Sequence, residues 1–313
     1  MGSEKRRVLV HLPLEVLKRV SEQVPGIELV PVPLKGELPR DAEGEVLLTL
    51  ARGSPNLSEV VKRGVRWIHT IGTGVDHFPL EAVGSRILTC SRGGSAVPIA
   101  EWVLSMLLAF EKRLPQSWVS APPEHWNMAE LGVLEGKTLG LVGIGGIGVA
   151  VARRALPFGM RVQALRRTPS ASSVPEVEVV GKLEELLAAA DHLVLAAPAT
   201  PATRHLINAK TLSQVKPGVH LVNIARGSLV AQDALREALD DGRVGRASLD
   251  VAEPEPLPAG HWLYSHPRVR LSPHISWAMP GAVARLLDSF IANLRRYLAD
   301  EPLEGIVNLE QGY

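Results

Sequence analysis

The sequence has a single cysteine, Cys90, which rules out an intrachain disulfide and a cluster of thiolate metal ligands. Aromatic residues are scarce at 4%, and neither sign of charge dominates: 34 Lys and Arg stand against 33 Asp and Glu, a net charge of +1. This balance leaves no electrostatic footprint for nucleic acid or a membrane surface. Long apolar runs are missing as well. The longest uncharged stretch, Thr138 to Ala152, carries five glycines and is too short to span a bilayer. Val8-Leu9-Val10, directly after Arg6-Arg7, is too short for the apolar core of a secretion signal. These absences predict a cytoplasmic protein of small-molecule chemistry, with no nucleic-acid, membrane or metal site.

With 313 residues, 46% of them hydrophobic, the chain is too long for one ordinary core, and two domains are expected. Short β-branched runs at Val8 to Val10, Glu28 to Val30, Val46 to Leu50 and Trp67 to Thr70 read as strands between helical stretches. Apolar residues at helical spacing (Val97, Ala100, Val103, Leu104, Leu107, Leu108) predict a long buried helix over Ala96 to Leu114. A second series of strands follows at Thr138 to Val142, Val162 to Leu165, His192 to Ala196, His220 to Ile224, Arg246 to Val251 and Val269 to Leu271. Helices between these strands require parallel crossovers, hence an α/β fold with a doubly wound sheet. A final helix from near Pro280 to Leu298 is long enough to return the chain to its first domain.

Gly143-Ile144-Gly145-Gly146-Ile147-Gly148 is a GxGxxG that follows the strand Leu139 to Val142 and opens a helix. A tight turn, close backbone approach to a pyrophosphate and close helix–strand packing each demand a glycine, and the phosphates rest on the helix N-terminus. The next strand ends at Arg166-Arg167, with 166 − 148 = 18 residues between Arg166 and the last glycine of the motif. An acid at this point would bind ribose hydroxyls and repel a 2′-phosphate, whereas two arginines attract the phosphate. NADP(H) is therefore the favoured cofactor, with NAD(H) left open.

Further along stand Ala196-Ala197-Pro198 and Thr203-Arg204-His205, then Asn223-Ile224-Ala225-Arg226-Gly227, Leu249-Asp250-Val251, Glu255-Pro256 and Ser272-Pro273-His274. In this order and spacing they resemble the D-isomer-specific 2-hydroxyacid dehydrogenase family. Gly72-Thr73-Gly74-Val75-Asp76 and Ala100-Glu101 extend the resemblance over nearly the whole chain. The resemblance implies two Rossmann-like domains with doubly wound parallel sheets. Its substrate domain would be discontinuous, residues 1–98 with 288–313, around a dinucleotide-binding domain of residues 99–287.

It also implies a division of roles. Arg226 would grip the substrate carboxylate with a planar guanidinium while polarising the adjacent 2-oxo group. His274 would give and take the proton, and Glu255 would orient it and favour the imidazolium. Gly72, Thr73, Gly74 and Val75 would offer backbone N–H donors to the substrate, and Trp277 would face its side chain. Pro198, Thr203, Ile224, Ala225 and Asp250 would line the cofactor, Asp250 receiving the nicotinamide carboxamide. Trp277 departs from the small residues that many relatives carry after the histidine, and a Trp at that place also occurs in corepressors of the same fold.

The implied reaction is hydride transfer between NADP(H) and a small 2-hydroxy/2-oxo acid, with glyoxylate or hydroxypyruvate as the first candidates. An NAD-dependent phosphoglycerate dehydrogenase and a non-enzymatic, nucleotide-sensing corepressor-like protein are the alternatives, since fold alone does not exclude either. A homodimer paired through the Ala96 to Leu114 helix is expected.

Overall fold

The computed structural model describes residues 6–167 and 172–313, and the chain forms two compact units: one of Met1–Ser95 with Met279–Tyr313, the other of Ala96–Ala278. In the first unit β1 (Arg6–Val10), α1 (Leu14–Gln23), β2 (Ile27–Pro31), β3 (Val46–Leu50), α2 (Leu57–Val60), β4 (Trp67–Ile71) and β5 (Ile87–Cys90) follow one another. The five strands are parallel, in the order β2-β1-β3-β4-β5. Successive residues of a strand feed opposite faces: Leu9, Leu47, Ile68 and Leu88 enter one core, and Val8, Val10, Val46, Leu48 and Trp67 enter the other. Both faces are thus covered, as a parallel sheet requires.

The second unit runs through α3 (Ala96–Glu111), β6 (Thr138–Val142), α4 (Gly146–Ala155), β7 (Arg161–Leu165), β8 (Val177–Val180), α5 (Leu183–Ala189), β9 (His192–Leu195) and α6 (Ala209–Leu212). β10 (Val219–Asn223), α7 (Gln232–Asp240), β11 (Val244–Leu249) and β12 (Val269–Leu271) complete it, and α8 (Ala282–Leu298) belongs to the first unit. Its seven parallel strands lie in the order β12-β11-β10-β9-β6-β7-β8. The order reverses between β6 and β9, so the loops after these two strands diverge and leave a crevice at the carboxyl ends of the strands. Leu193 and Leu195 pack into one core while Val194 joins Leu139, Leu141 and Val222 in the other.

The chain is thus α/β with two doubly wound parallel sheets. Two strands went unread in the sequence, β5 and β8; each has only four residues, and β5 opens with the exposed Ile87. The helix expected to reach Leu114 ends at Glu111, where Arg113 takes a left-handed φ of 51° ahead of Pro115. In α8, Phe290 stacks on Trp67 of β4 with ring centroids 5.5 Å apart, which fastens the C-terminal helix to the first sheet. Among the described residues no helix is long and apolar enough to cross a membrane, and no group of three or more His, Cys, Asp or Glu could hold a metal ion.

Candidate active site

Three adjacent strands carry the candidate triad. Asn223 at the end of β10 pairs with Leu249 of β11, and Leu249 pairs with Leu271 of β12, so the three strands end in one row. Arg226 follows the first, Glu255 the second and His274 the third. With parallel neighbours about 5 Å apart, the row puts the loops of Arg226 and His274 about 10 Å from each other, a span fit for a small ligand.

His274 and Glu255 meet directly: Nδ1 lies 2.8 Å from Oε2, with side chains 40% and 33% exposed. The other carboxylate oxygen of Glu255 accepts the Ala252 N–H at 3.1 Å, so the acid is anchored in its own loop before it reaches the imidazole. An ionised acceptor on Nδ1 places the N–H there and leaves Nε2 as the nitrogen that exchanges a proton with a ligand.

The loop bearing His274 is built on Asp250, which is 1% exposed. Its carbonyl accepts the His274 N–H at 2.8 Å, Oδ1 accepts Ile275 N–H at 2.8 Å and the Ser272 hydroxyl at 2.6 Å, and Oδ2 accepts Ser276 N–H at 2.9 Å. The residue expected to contact a cofactor therefore frames the loop of His274. Asn223 has a similar part that the sequence reading did not assign: Oδ1 accepts the Ala225 N–H at 3.0 Å, and Nδ2 donates to the Arg226 carbonyl at 2.8 Å. An Asx turn of this kind is legible where Asn stands at a strand end. Arg226 begins a 3-10 turn in extended conformation, and Nη1 donates to the Ala225 carbonyl at 2.7 Å.

The glycine motif lies between β6 and α4. Gly145 precedes the first turn of α4 with no side-chain cap, and open space surrounds the place a Cβ would take there. A Cβ on Gly148 would come within 2.4 Å of the Gly143 carbonyl oxygen, so the third glycine serves the contact between helix and turn. Gly146 and Ile147 supply the first turn itself. This uncapped helix start, with backbone exposed beside it, fits a dinucleotide pyrophosphate.

Other candidates fall around the same end of the sheet. Gly143 N–H donates to the Leu165 carbonyl at 2.9 Å, which sets the end of β7, and hence Arg166 and Arg167, beside the motif. After β9, the Thr203 hydroxyl donates to the Pro198 carbonyl at 2.7 Å and closes the loop between them. Ile224 and Ala225 are buried beneath Arg226.

In the other unit, Gly72 follows β4 with a φ of 125°, its carbonyl accepting Ser91 N–H at 2.8 Å, and Thr73 donates to the Ser91 carbonyl at 3.4 Å. Gly74 lies between Thr73 and the core-packed Val75, which is 3% exposed and can offer a ligand only its backbone.

The family described as D-isomer specific 2-hydroxyacid dehydrogenase, NAD binding domain, matches residues 104–276. The chain is 34% identical over 258 residues to a glyoxylate reductase of Thermofilum pendens, covering 78% of this chain and 75% of that protein. It is 30% identical over 312 residues to a D-3-phosphoglycerate dehydrogenase of Methanocaldococcus jannaschii, covering 97% of this chain and 59% of the relative. The chain spans about half the length of the phosphoglycerate dehydrogenases it matches. Among solved structures, the NADPH-dependent glyoxylate/hydroxypyruvate reductase of Sinorhizobium meliloti, in complex with NADP and sulfate, superposes with a TM-score of 0.84. Its identity is 25%, and 99% of this chain and 100% of that one are covered.

Proposed function

Because the chain belongs to the D-isomer specific 2-hydroxyacid dehydrogenase family, we propose that it transfers a hydride between NADP(H) and a small 2-hydroxy/2-oxo acid, acting as a 2-oxo acid reductase of the glyoxylate or hydroxypyruvate type. The observation that carries this reading is the 2.8 Å pair of His274 and Glu255 in the same row of strand ends as Arg226.

Unit Ala96–Ala278 is the dinucleotide domain and the other unit the substrate domain. Gly143, Gly145, Gly146, Ile147 and Gly148 hold the pyrophosphate, and Pro198, Thr203, Ile224, Ala225 and Asp250 line the nicotinamide half. When bound, the dinucleotide supplies the hydride to the carbonyl carbon. Arg226 pairs with the substrate carboxylate in bidentate fashion and draws electron density from the neighbouring carbonyl. Backbone N–H groups of Gly72, Thr73, Gly74 and Val75 donate to the same carboxylate, and Trp277 borders the substrate. His274 Nε2 delivers a proton to the oxygen that becomes the hydroxyl, and Glu255 stabilises the charge carried meanwhile by the imidazole.

The choice of NADP(H) rests on Arg166 and Arg167 at the end of β7 and is in keeping with the NADP-bound Sinorhizobium structure. The protein acts in the cytoplasm as a homodimer paired through α3. Trp102 and Met106 of this helix are only half-buried, and the segment after it exposes Trp118 (72%), Trp126 (76%) and Met128 (79%). Apolar surface of this kind marks an interaction face.

NADPH oxidation measured with glyoxylate, hydroxypyruvate and larger 2-oxo acids tests the reading. Turnover of glyoxylate or hydroxypyruvate that His274→Ala abolishes is expected. A protein that binds NADPH but reduces none of the acids overturns it. Sedimentation at micromolar concentration should show a dimer, and a monomer would refute pairing through α3.

A further inference from the structure

His274 is a non-glycine residue with a φ of 56°, in the left-handed region. A β-carbon there clashes with its own backbone, so the conformation persists only where surrounding contacts impose it. One set of contacts comes from Asp250, whose carbonyl and carboxylate take up the N–H groups of residues 274, 275 and 276. They fix the path of the loop through its donors. The peptide between His274 and Ile275, whose plane fixes the ψ of His274, has two polar ends: Asp250 holds its N–H, and the His274 carbonyl is the other. Among the described residues a single donor reaches it: the indole Nε1 of Trp277, at 2.9 Å.

From this geometry we infer that Trp277 is a positioning residue for His274, acting through its indole N–H and not only as a wall for the substrate. The inference rests on the proposed acid/base role of His274. Donor and acceptor are three positions apart, so the loop closes on itself from the side opposite Asp250, and His274 is held between the two. The Nδ1 bond to Glu255 then sets the remaining rotation of the ring. Without the indole bond, the peptide between His274 and Ile275 is held only through its N–H by Asp250, and the ψ of His274 is less tightly fixed. Nε2 would then deliver its proton from a broader range of positions, which lowers turnover. Substrate capture by Arg226, on the loop after β10, is left intact.

Two substitutions separate the N–H from the ring. Trp277→Phe keeps an aromatic ring and deletes the donor. Trp277→His keeps a donor the same number of bonds from Cβ, at Nε2, and deletes most of the ring surface. The positioning role predicts that Trp277→Phe lowers kcat about 3- to 10-fold, the loss of one hydrogen bond, with KM for the 2-oxo acid unchanged, and that Trp277→His recovers most of it. A second readout needs no turnover: the imidazole nitrogen resonances of His274 in the apoprotein should shift in Trp277→Phe and return towards their original positions in Trp277→His.

A rise in KM with kcat unchanged in Trp277→Phe, or a better enzyme with Phe than with His, would make the indole a substrate wall and overturn the inference. So would imidazole resonances that do not move in the phenylalanine variant. If instead His274→Ala retains turnover while Trp277→Phe still shifts those resonances, the proposed chemistry fails and the positioning geometry stands.

Discussion

The Nδ1 of His274 and the Oε2 of Glu255 stand 2.8 Å apart on loops that leave neighbouring strands, and the second oxygen of the acid is tied to the Ala252 N–H. A carboxylate held in this way orients the ring. Glu255→Gln keeps a hydrogen-bond acceptor and removes the charge that supports the imidazole during the proposed proton transfer, so kcat should fall with KM for the 2-oxo acid little changed. His274→Ala should lower kcat by about 10² to 10⁴-fold. Steady-state kinetics of the two variants check both statements, and an unchanged kcat in Glu255→Gln would break the proposed pairing.

The proposed mechanism gives Arg226 two tasks, and the kinetics should show both. Arg226→Ala is expected to raise KM and lower kcat together, because in that mechanism the guanidinium binds the ground-state carboxylate and also stabilises charge on the carbonyl oxygen. Arg226→Lys should restore little, since an ammonium lacks the planar fork. Steady-state kinetics with glyoxylate decide the matter; a change confined to KM would limit Arg226 to binding.

The proposed preference for NADP(H) rests on Arg166 at the end of β7. Arg166→Asp is expected to reverse the preference from NADPH to NADH, by removing a partner for the 2′-phosphate and introducing a repelling charge. The ratio of kcat/KM for the two cofactors measures this. A parent enzyme already faster with NADH would refute the role.

Two glycines of the nucleotide motif should fail in different ways. Gly148→Ala forces a Cβ against the Gly143 carbonyl oxygen at 2.4 Å, so thermal stability should drop. Gly145→Ala meets nothing within 4 Å and should fold normally, yet bind NADPH weakly because its methyl stands where the pyrophosphate approaches. Melting curves and NADPH titrations of the pair separate a folding glycine from a binding one.

Acid should destabilise the fold through buried neutral histidines. Burial lowers His11 to about 4 and His69 to about 3 from an ordinary 6.5. Burial also pushes His220 well below that value, aided by His192 and Arg246. The unfolded chain takes up these protons below about pH 6.5 and the folded chain does not, so stability is complete above that pH and declines as pH falls towards 4. Each histidine contributes a slope of about 1.4 kcal/mol per pH unit between its two pKa values. Urea unfolding at pH 7 and pH 5 measures the decline, and His69→Asn should flatten it.

The sheets were legible because apolar runs bounded by turns recur at regular intervals, and the nucleotide motif because its glycines sit between a strand and a helix. The candidate triad was readable only through its likeness to a family: the spacing of Arg226, Glu255 and His274 does not by itself set β10, β11 and β12 ending in one row. That row is a matter of strand register, which sequence periodicity leaves open. The loop-framing part of Asp250 and the left-handed backbone of His274 were hidden for the same reason, since both depend on which strand lies beside β11. β8 escaped because the exposed Glu178 interrupts the short apolar run of Val177 to Val180.

The interrupted first unit has a bearing on how the chain is made. Polypeptides emerge from the ribosome N-terminus first and commonly fold one domain after another in that order. Here Trp67 leaves the ribosome long before Phe290, the ring that covers it, so the sheet synthesised first is the last to be capped. The unit from Ala96 to Ala278 has all its strands in hand earlier, and translation thereby makes the middle of the chain a finished neighbour while β1 to β5 still wait for α8.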